Sequence, residues 1–433
     1  MKSIKNLCHF FWQLEEKYDL LQLELGGVKA WQYKRMAIYY EIAKQAGVIQ
    51  APHTQMKGKD HLKSFWGYFR SLFIGNPLFV PKADVLVFPH ERTKSFEGKS
   101  IDIYTYFLTS ELRTESCKVL EIKRPYLVKH TSERNKDTFY LDGILLLSNI
   151  FKKLLPLKVT NEQKEKIENV ENEVFSALGV RINLVKLLIE QSKKFKINRA
   201  CFKYILRKAE VKTVYCVVGY SLGDLISACK DLDIEIIEVQ HGTFSKYHLG
   251  YSYPNKQTYV DYFPTKFLVW NQFWKDMLEL PIASESVAVR PFDYMEIQRD
   301  SYLNTIRKAN SAVVISQGAL TEKIASTLLK YWDKFSQYEI QYKLHPGEYQ
   351  SWQESKSLRT LVDSNRVSLV KDCDLYGLFS ESEFQIGVFS TALYEGAEFG
   401  CKSSLLDLPG IEYMQRFIEL NNLVFTDGIY IDN

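Results

Sequence analysis

Paired cysteines are missing. The seven cysteines (Cys8, Cys117, Cys201, Cys216, Cys229, Cys373, Cys401) are scattered and odd in number, and no two are spaced Cys-x-x-Cys. That excludes a disulfide framework and a zinc site of this type, and leaves small buried hydrophobes in a reducing compartment. No apolar run approaches the roughly 18–20 residues of a transmembrane helix. The start of the chain passes Phe10, Phe11 and Trp12 only to meet Glu15, Glu16 and Lys17, so no signal-peptide core is read there. An excess of one charge is also lacking: 56 Lys+Arg against 52 Asp+Glu leave +4. With no arginine-rich or glycine-rich RNA-binding segment, nucleic acid is not an expected partner. Internal repeats and low-complexity tracts are absent. The expectation is a cytoplasmic protein that at most touches a membrane face.

What is present is length and aromatic content. A chain of 433 residues is long enough for two domains and one cleft between them. Aromatics make up 14%, with 27 Tyr and 26 Phe, which suits sugar or membrane contact as well as packing. Residues 1–80 read as helical, broken at Gly26-Gly27, and 83–88 and 118–122 read as strands. Residues 160–196 read as a pair of exposed amphipathic helices serving as scaffold. Strand and helix then alternate: strands at 213–218, 234–239 and 267–270, helices at 222–230 and 273–278. After Pro281 and Pro291 a second alternating block follows, with strands at 312–316, 340–344, 367–370, 384–389 and 403–406 and helices between them. Such alternation implies parallel sheets covered on both faces. The expected domains are 1–285 and 286–433, with the last helix or tail returning to the first.

The chemistry gathers where strands end. Lys343-Leu344-His345-Pro346 closes one strand, and Phe389-Ser390-Thr391-Ala392-Leu393-Tyr394-Glu395 marks the end of another and the start of a helix. A helix N-terminus offers free N–H groups and partial positive charge to a phosphate, and ligands of open α/β sheets bind beyond the strand carboxyl ends. Pro346 holds His345 in an extended or turn conformation at the strand end. Ser390 and Thr391 would cap the helix in any case, which is compatible with a phosphate role. Lys343 can point to either face of its strand. Ser316 and Gln317 end the first strand of the second block. In the first block, Val239-Gln240-His241-Gly242 ends a strand. His241 suits a general base because an ordinary imidazole titrates near neutrality, and Gly242 permits a sharp turn. Its alternative is a structural histidine bonded to carbonyls. His248 and Tyr251 follow as candidates for the acceptor side. Asp102 is a second candidate base, Glu238 an outsider, and Asp224 reads as a helix cap.

On these residues the chain resembles bacterial capsule and lipopolysaccharide glycosyltransferases of the two-domain GT-B fold, akin to the group holding polysialyltransferases, Kdo transferases and CDP-glycerol glycerophosphotransferases. The resemblance is strongest from Val211 to Met414, with Ile101-Asp102-Ile103-Tyr104-Thr105 a less specific match upstream. It is carried by Glu238-Val239-Gln240-His241-Gly242, Tyr251, Phe267-Leu268-Val269-Trp270, Ile315-Ser316-Gln317, Lys343-Leu344-His345-Pro346 and Ser390-Thr391-Ala392-Leu393-Tyr394-Glu395. It implies two Rossmann-like doubly wound domains facing a cleft, with a helical N-terminal elaboration. His345, Ser390 and Thr391 would grip the donor phosphate or sugar acid, with Glu395 on the ribose. The acidic-acidic-Gly motif of polysialyltransferases has no match, so their mechanism does not carry over whole. The implied activity moves a sugar from a CMP-, UDP- or GDP-linked donor to a capsule or O-antigen acceptor. The alternatives are a CDP-alcohol-dependent polyol-phosphate transferase and a non-catalytic scaffold of a capsule assembly complex.

No cofactor is expected, and no metal: Asp372-Cys373-Asp374 has chelating spacing but reads as a loop and helix cap. Lys57, Lys59, Lys63 and Arg70 interleave with Phe65, Trp66, Tyr68, Phe69, Phe73 and Ile74. Such a segment suits peripheral contact with the inner face of the cytoplasmic membrane, near a lipid-linked acceptor, or simple packing on the first domain.

Overall fold

Short β-branched runs bounded by turn residues become strands buried on both faces, as parallel sheets require. The computed structural model describes residues 3–49, 68–91, 93–124, 136–254, 260–318 and 320–432. β1 (Val85–Phe88) is buried along its whole length. β2 (Lys94–Phe96) and β3 (Lys99–Ile101) form a separate antiparallel hairpin. β4 (Val119–Lys123), β5 (Thr138–Tyr140), β6 (Thr213–Cys216), β7 (Glu235–Val239), β8 (Lys266–Val269) and β9 (Val287–Val289) join β1 in a parallel sheet of order β5-β4-β1-β6-β7-β8-β9. The second sheet holds β10 (Lys308–Ile315), β11 (Glu339–Lys343), β12 (Val367–Val370), β13 (Ser382–Gly387) and β14 (Lys402–Leu406) in parallel. An antiparallel hairpin, β15 (Val424–Thr426) and β16 (Ile429–Ile431), extends that sheet to the order β12-β11-β10-β13-β14-β16-β15. Both domains are doubly wound and Rossmann-like. Strand order reverses once in each, between β1 and β6 and between β10 and β13, the points where such sheets bind ligands.

Two sequence expectations change here. β9 belongs to the first sheet, so the chain crosses between sheets a little later than residue 285. Residues 160–196 are more than exposed scaffold. Thr160 and Gln163 form a capping box that starts the helix Asn161–Leu178, and Gly179 ends it in left-handed backbone. The next helix, Leu184–Ala209, buries Leu188, Phe195, Phe202, Ile205 and Leu206. Its apolar stripe continues past the lysines at 193, 194 and 196 and joins two separate core clusters.

The helical elaboration is fixed by one buried ion pair. Arg35, on the helix Ala30–Gln45, grips Glu15 of the helix Ile4–Lys17 with Nε at 2.6 Å and Nη2 at 2.7 Å. Trp31 Nε1 donates to the same carboxylate at 2.8 Å. Arg35 Nη1 also donates to Leu249 O and, at 2.9 Å, to Ser252 O, so the pair anchors the loop beyond β7. The turn Ile411–Met414 leans back on the first helix, with Glu412 Oε1 accepting from Lys5 N–H at 3.3 Å. One apolar cluster crosses between the sheets, from Phe244, Trp270, Trp274 and Phe292 to Leu393, Tyr394 and Phe417. Among the described residues no helix is long and apolar enough to cross a membrane.

Candidate functional site

In the second domain the parallel register brings the ends of β10, β11 and β13 to one edge, with Ile315 beside Lys343 and Val314 beside Ile386. Gln317 Nε2 donates to Phe389 O and ties the two strands that flank the reversal. Ser390 is the N-cap of the helix Thr391–Glu398, its hydroxyl accepting from Ala392 N–H at 3.2 Å. His345 caps the turn Pro346–Glu348: its Nδ1 accepts from Gly347 N–H at 3.1 Å, and Glu348 Oε2 accepts from His345 N–H at 2.7 Å. With Nδ1 accepting, the proton of the neutral ring sits on Nε2, a tautomer assigned from this bond. The ring itself is exposed.

Glu348, which the sequence reading passed over, organises this edge. It is 2% exposed and accepts from Ser316 Oγ at 2.8 Å and from Thr321 Oγ1. The signal was available, since a Glu three residues after a cap position is capping-box spacing. Ser316 is thereby a buried support for the His345 turn. Lys343 bonds Leu344 O at 3.0 Å and Tyr349 OH at 3.4 Å, and Tyr349 reaches Asp372 beyond β12. Its ammonium has turned toward β12, away from the reversal. Glu395 lies beside Tyr376 and Lys94, and burial raises its carboxyl above the ordinary range.

The first domain brings its own strand ends to the same place. Gln240 Nε2 donates to Gly242 O at 3.0 Å, while Gln240 Oε1 accepts from Trp270 N–H at 2.9 Å, so the loops after β7 and β8 are stitched together. Gly242 has no left-handed backbone, and a Cβ there would sit at ordinary contact, 3.5 Å from Thr391 Oγ1. Its glycine is therefore not demanded by a sharp turn. Thr391 Oγ1 accepts from Thr243 N–H at 3.3 Å, a hydrogen bond across the cleft that joins the His241 loop to the helix start.

His241 sits among rings: His90 at 5.8 Å, Tyr104 at 6.3 Å, Tyr220 at 6.4 Å, Phe244 at 5.9 Å and Tyr251 at 6.2 Å between centroids. Its Nδ1 is buried and has no hydrogen-bond partner among the described residues. Desolvation, then the neighbouring His90 and His248, hold its pKa well below the usual 6.5. It is a neutral imidazole at physiological pH.

Other first-domain candidates occupy supporting positions. Tyr251 is buried, donates to Glu238 Oε1 at 2.6 Å and borders a cavity of about 410 Å³ that Tyr413 and Arg416 of the second domain also line. Glu238 also accepts from Gly219 N–H at 2.9 Å, and burial pushes its carboxyl up to about 7. His248 accepts from Gly250 N–H at 3.2 Å and is lowered to about 4 by burial. Asp102 accepts from His90 N–H and Tyr104 N–H, both at 3.1 Å, and from the Thr105 hydroxyl; burial lifts it to about 6. Both of its oxygens are committed to holding the loop that carries His90. Asp224 accepts from Tyr33 OH and Asn198 in the core. A cavity of about 320 Å³ opens at the β1/β6 reversal, lined by His90, Arg124, Tyr220, Ser221 and His241 among others.

Among the described residues no group of three His, Cys, Asp or Glu side chains is placed to hold a metal ion. Asp374 caps the helix Leu375–Glu381 through Tyr376 N–H at 3.0 Å.

No family model matches the sequence, and no curated protein matches it. Solved structures do match. UDP-GlcNAc 2-epimerase from Neisseria meningitidis bound to UDP-GlcNAc aligns over 75% of this chain and 83% of its own, at 11% identity and a TM-score of 0.44. The UDP-GlcNAc 2-epimerase from Methanocaldococcus jannaschii aligns over 81% and 95%, at 9% identity and a TM-score of 0.45. MurG from Acinetobacter baumannii aligns over 79% and 84%, at 11% identity and a TM-score of 0.43. These are distant likenesses of overall shape.

Proposed function

We propose that the protein is a glycosyltransferase that moves a sugar from a nucleotide-activated donor, bound by the second domain, to a surface-polysaccharide acceptor of the capsule or O-antigen type, bound by the first. The observation that carries this is the Thr243–Thr391 hydrogen bond at 3.3 Å, which sets a neutral histidine loop against a capped helix N-terminus at a strand-order reversal. The helix start, Ser390 and His345 hold the donor phosphate; Gln317 and Glu348 keep their strand ends in register. In the inverting form of the reaction, the acceptor hydroxyl oxygen bonds to the anomeric carbon as its proton passes to the His241 imidazole. The carbon–oxygen bond to phosphate breaks, and the nucleotide leaves with the electron pair. Donors preorganised on the departing phosphate are worth several kcal/mol to such a step. Contact between the domains at Thr391 excludes water from the donor.

The test begins with nucleotide. At about 100 times its dissociation constant a ligand stabilises by about 2.7 kcal/mol, so one of CMP, CDP, UDP or GDP should raise the melting temperature clearly. His345→Ala should lose that shift while still melting cooperatively, its own melting temperature lowered only by the loss of one turn cap. A wild-type protein that responds to none of the four would overturn the donor site. A CDP-alcohol donor would favour polyol-phosphate transfer, which the same phosphate-holding residues would serve.

Membrane contact is part of the proposal, because a growing surface glycan is carried on lipid. Residues 50–67, with most of the basic-aromatic stretch, lie outside the described residues. Nearby, Phe73 is 72% exposed, Phe79 68% and Leu154 74%, beside exposed Arg70 and Lys153. Burying one such side chain is worth about 1.5–3 kcal/mol. Phe73→Ser with Leu154→Ser should therefore weaken binding to anionic vesicles by about tenfold or more. A wild-type chain that stays in the supernatant on co-sedimentation would count against membrane docking.

A further inference from the structure

The transfer chemistry leaves one cation of the first-domain crevice unused. Arg124 stands just past β4 and lines the cavity of about 320 Å³ at the β1/β6 reversal. Its Nη1 donates to Ser221 Oγ at 3.1 Å and its Nη2 to Ser221 O at 3.2 Å, while Nε is buried with no partner among the described residues. The nearby carboxylates are engaged elsewhere. Glu121 is taken by Arg113 and Lys123, both at 3.2 Å, and Asp224 by Tyr33 and Asn198. Glu91 borders the cavity from its exposed rim and makes no ion pair with Arg124 among the described residues. A half-buried guanidinium with no carboxylate partner among the described residues is an unbalanced charge there, and its planar fork matches phosphate.

The loop around it is built to hold that fork. Val218, a β-branched residue, is forced to φ 61 and ψ 51, the kind of backbone strain that persists where surrounding structure requires it. Val218 O accepts from Ser221 N–H at 3.0 Å and Ser221 Oγ–H at 2.8 Å, which leaves the hydroxyl lone pairs for Arg124. Gly219-Tyr220-Ser221-Leu222-Gly223 has the spacing of a hydrolase nucleophile elbow. Its serine nonetheless has its proton on Val218, and no histidine nitrogen bonds it among the described residues, so it serves as a holder of Arg124. Opposite stands His241, with its unpartnered buried Nδ1.

We propose that this cavity binds a phosphate group of the acceptor, with Arg124 supplying the charge and the acceptor hydroxyl presented toward His241. The acceptor is then a phosphate-bearing glycan or polyol. The assignment rests on the first domain being the acceptor side.

The test follows the histidine C2–H resonances of the full-length, histidine-labelled protein as inorganic phosphate is added, with glucuronate as the carboxylate control and His241→Asn to assign the signal. Phosphate should shift the His241 signal saturably. Arg124→Gln should weaken that binding by about tenfold or more, as loss of a charge-assisted fork implies, and Arg124→Lys should retain part of it. The nucleotide-induced thermal shift should be the same in Arg124→Gln as in wild type, which also shows that the variant folds. An unmoved His241 signal, equal phosphate affinity in Arg124→Gln, or glucuronate bound as tightly as phosphate would each overturn the assignment. Failure of the nucleotide screen with phosphate binding intact would instead remove the donor site and the acceptor role, and leave an anion site.

Discussion

His241→Ala is expected to slow transfer by about 10²–10⁴-fold, the usual contribution of a positioned general base, while nucleotide binding measured by thermal shift stays within about twofold. On the proposed reading the loss belongs to the chemical step, because the residue lies on the first-domain side of the Thr243–Thr391 bond while the donor is held by Ser390 and His345 on the other. The pH profile separates a base from a mere support. Burial holds His241 below its ordinary pKa, so it stays neutral through the physiological range, and wild-type activity should fall only as pH drops well under 6.5. That acid limb should vanish from the residual activity of the variant. Stability carries the same sign: below about 6.5 the unfolded chain takes up a proton that the folded site refuses, so the folded state weakens from there downward. Full transfer activity in His241→Ala would remove the histidine from the mechanism.

The second large effect is on stability. Glu15→Ala should cost about 3–5 kcal/mol, because it strands a buried guanidinium. Arg35 is only 2% exposed and would keep Leu249 O, Ser252 O and the Tyr253 ring, none of them anionic. Replacing both partners by apolar residues, Glu15→Leu with Arg35→Met, should be far milder than the single change, and chemical denaturation of this double variant and its two single variants, Glu15→Leu and Arg35→Met, gives the coupling directly. The loop held by Arg35 follows His248, so Glu15→Ala should also impair transfer at temperatures where the protein is still folded. A cost below about 1 kcal/mol would mean the pair is solvated and anchors nothing.

How far the sequence foretold this molecule depends on how locally each feature is encoded. The strand ends at His241, Ser316, His345 and Ser390 were legible, because an apolar run followed by Gly, Pro or Ser-Thr fixes a strand and its exit within a few residues. The helix Asp142–Phe151 was not read, since Ile144, Leu145, Leu146, Leu147, Ile150 and Phe151 surround it and erase the helical period. The β15–β16 hairpin had a signal that went unused: Asp427-Gly428, with φ 52 and 83, is the two-residue turn that such pairs favour. Tyr251 and His248 read as acceptor-side residues and Asp102 as a candidate base because polar types in loops near strand ends attract such readings. Their partners, Glu238, Gly250 and the His90 loop, are assembled by the tertiary fold. Arg124 was invisible for the same reason. Its importance depends on which carboxylates are already taken, and that is settled by packing between strands distant in sequence.

The apolar cluster that runs from Phe244, Trp270 and Phe292 through to Leu393, Tyr394 and Phe417 makes the two halves poor candidates for recombination. Cut apart at the crossing after β9, each would carry an exposed aromatic face and aggregate, unlike domains joined by a small polar seam. Exchanging the second half to change the donor would require the partner face to travel with it. The same continuity favours a short shear of one half over the other during turnover, since a wide hinge would flood shared core with water.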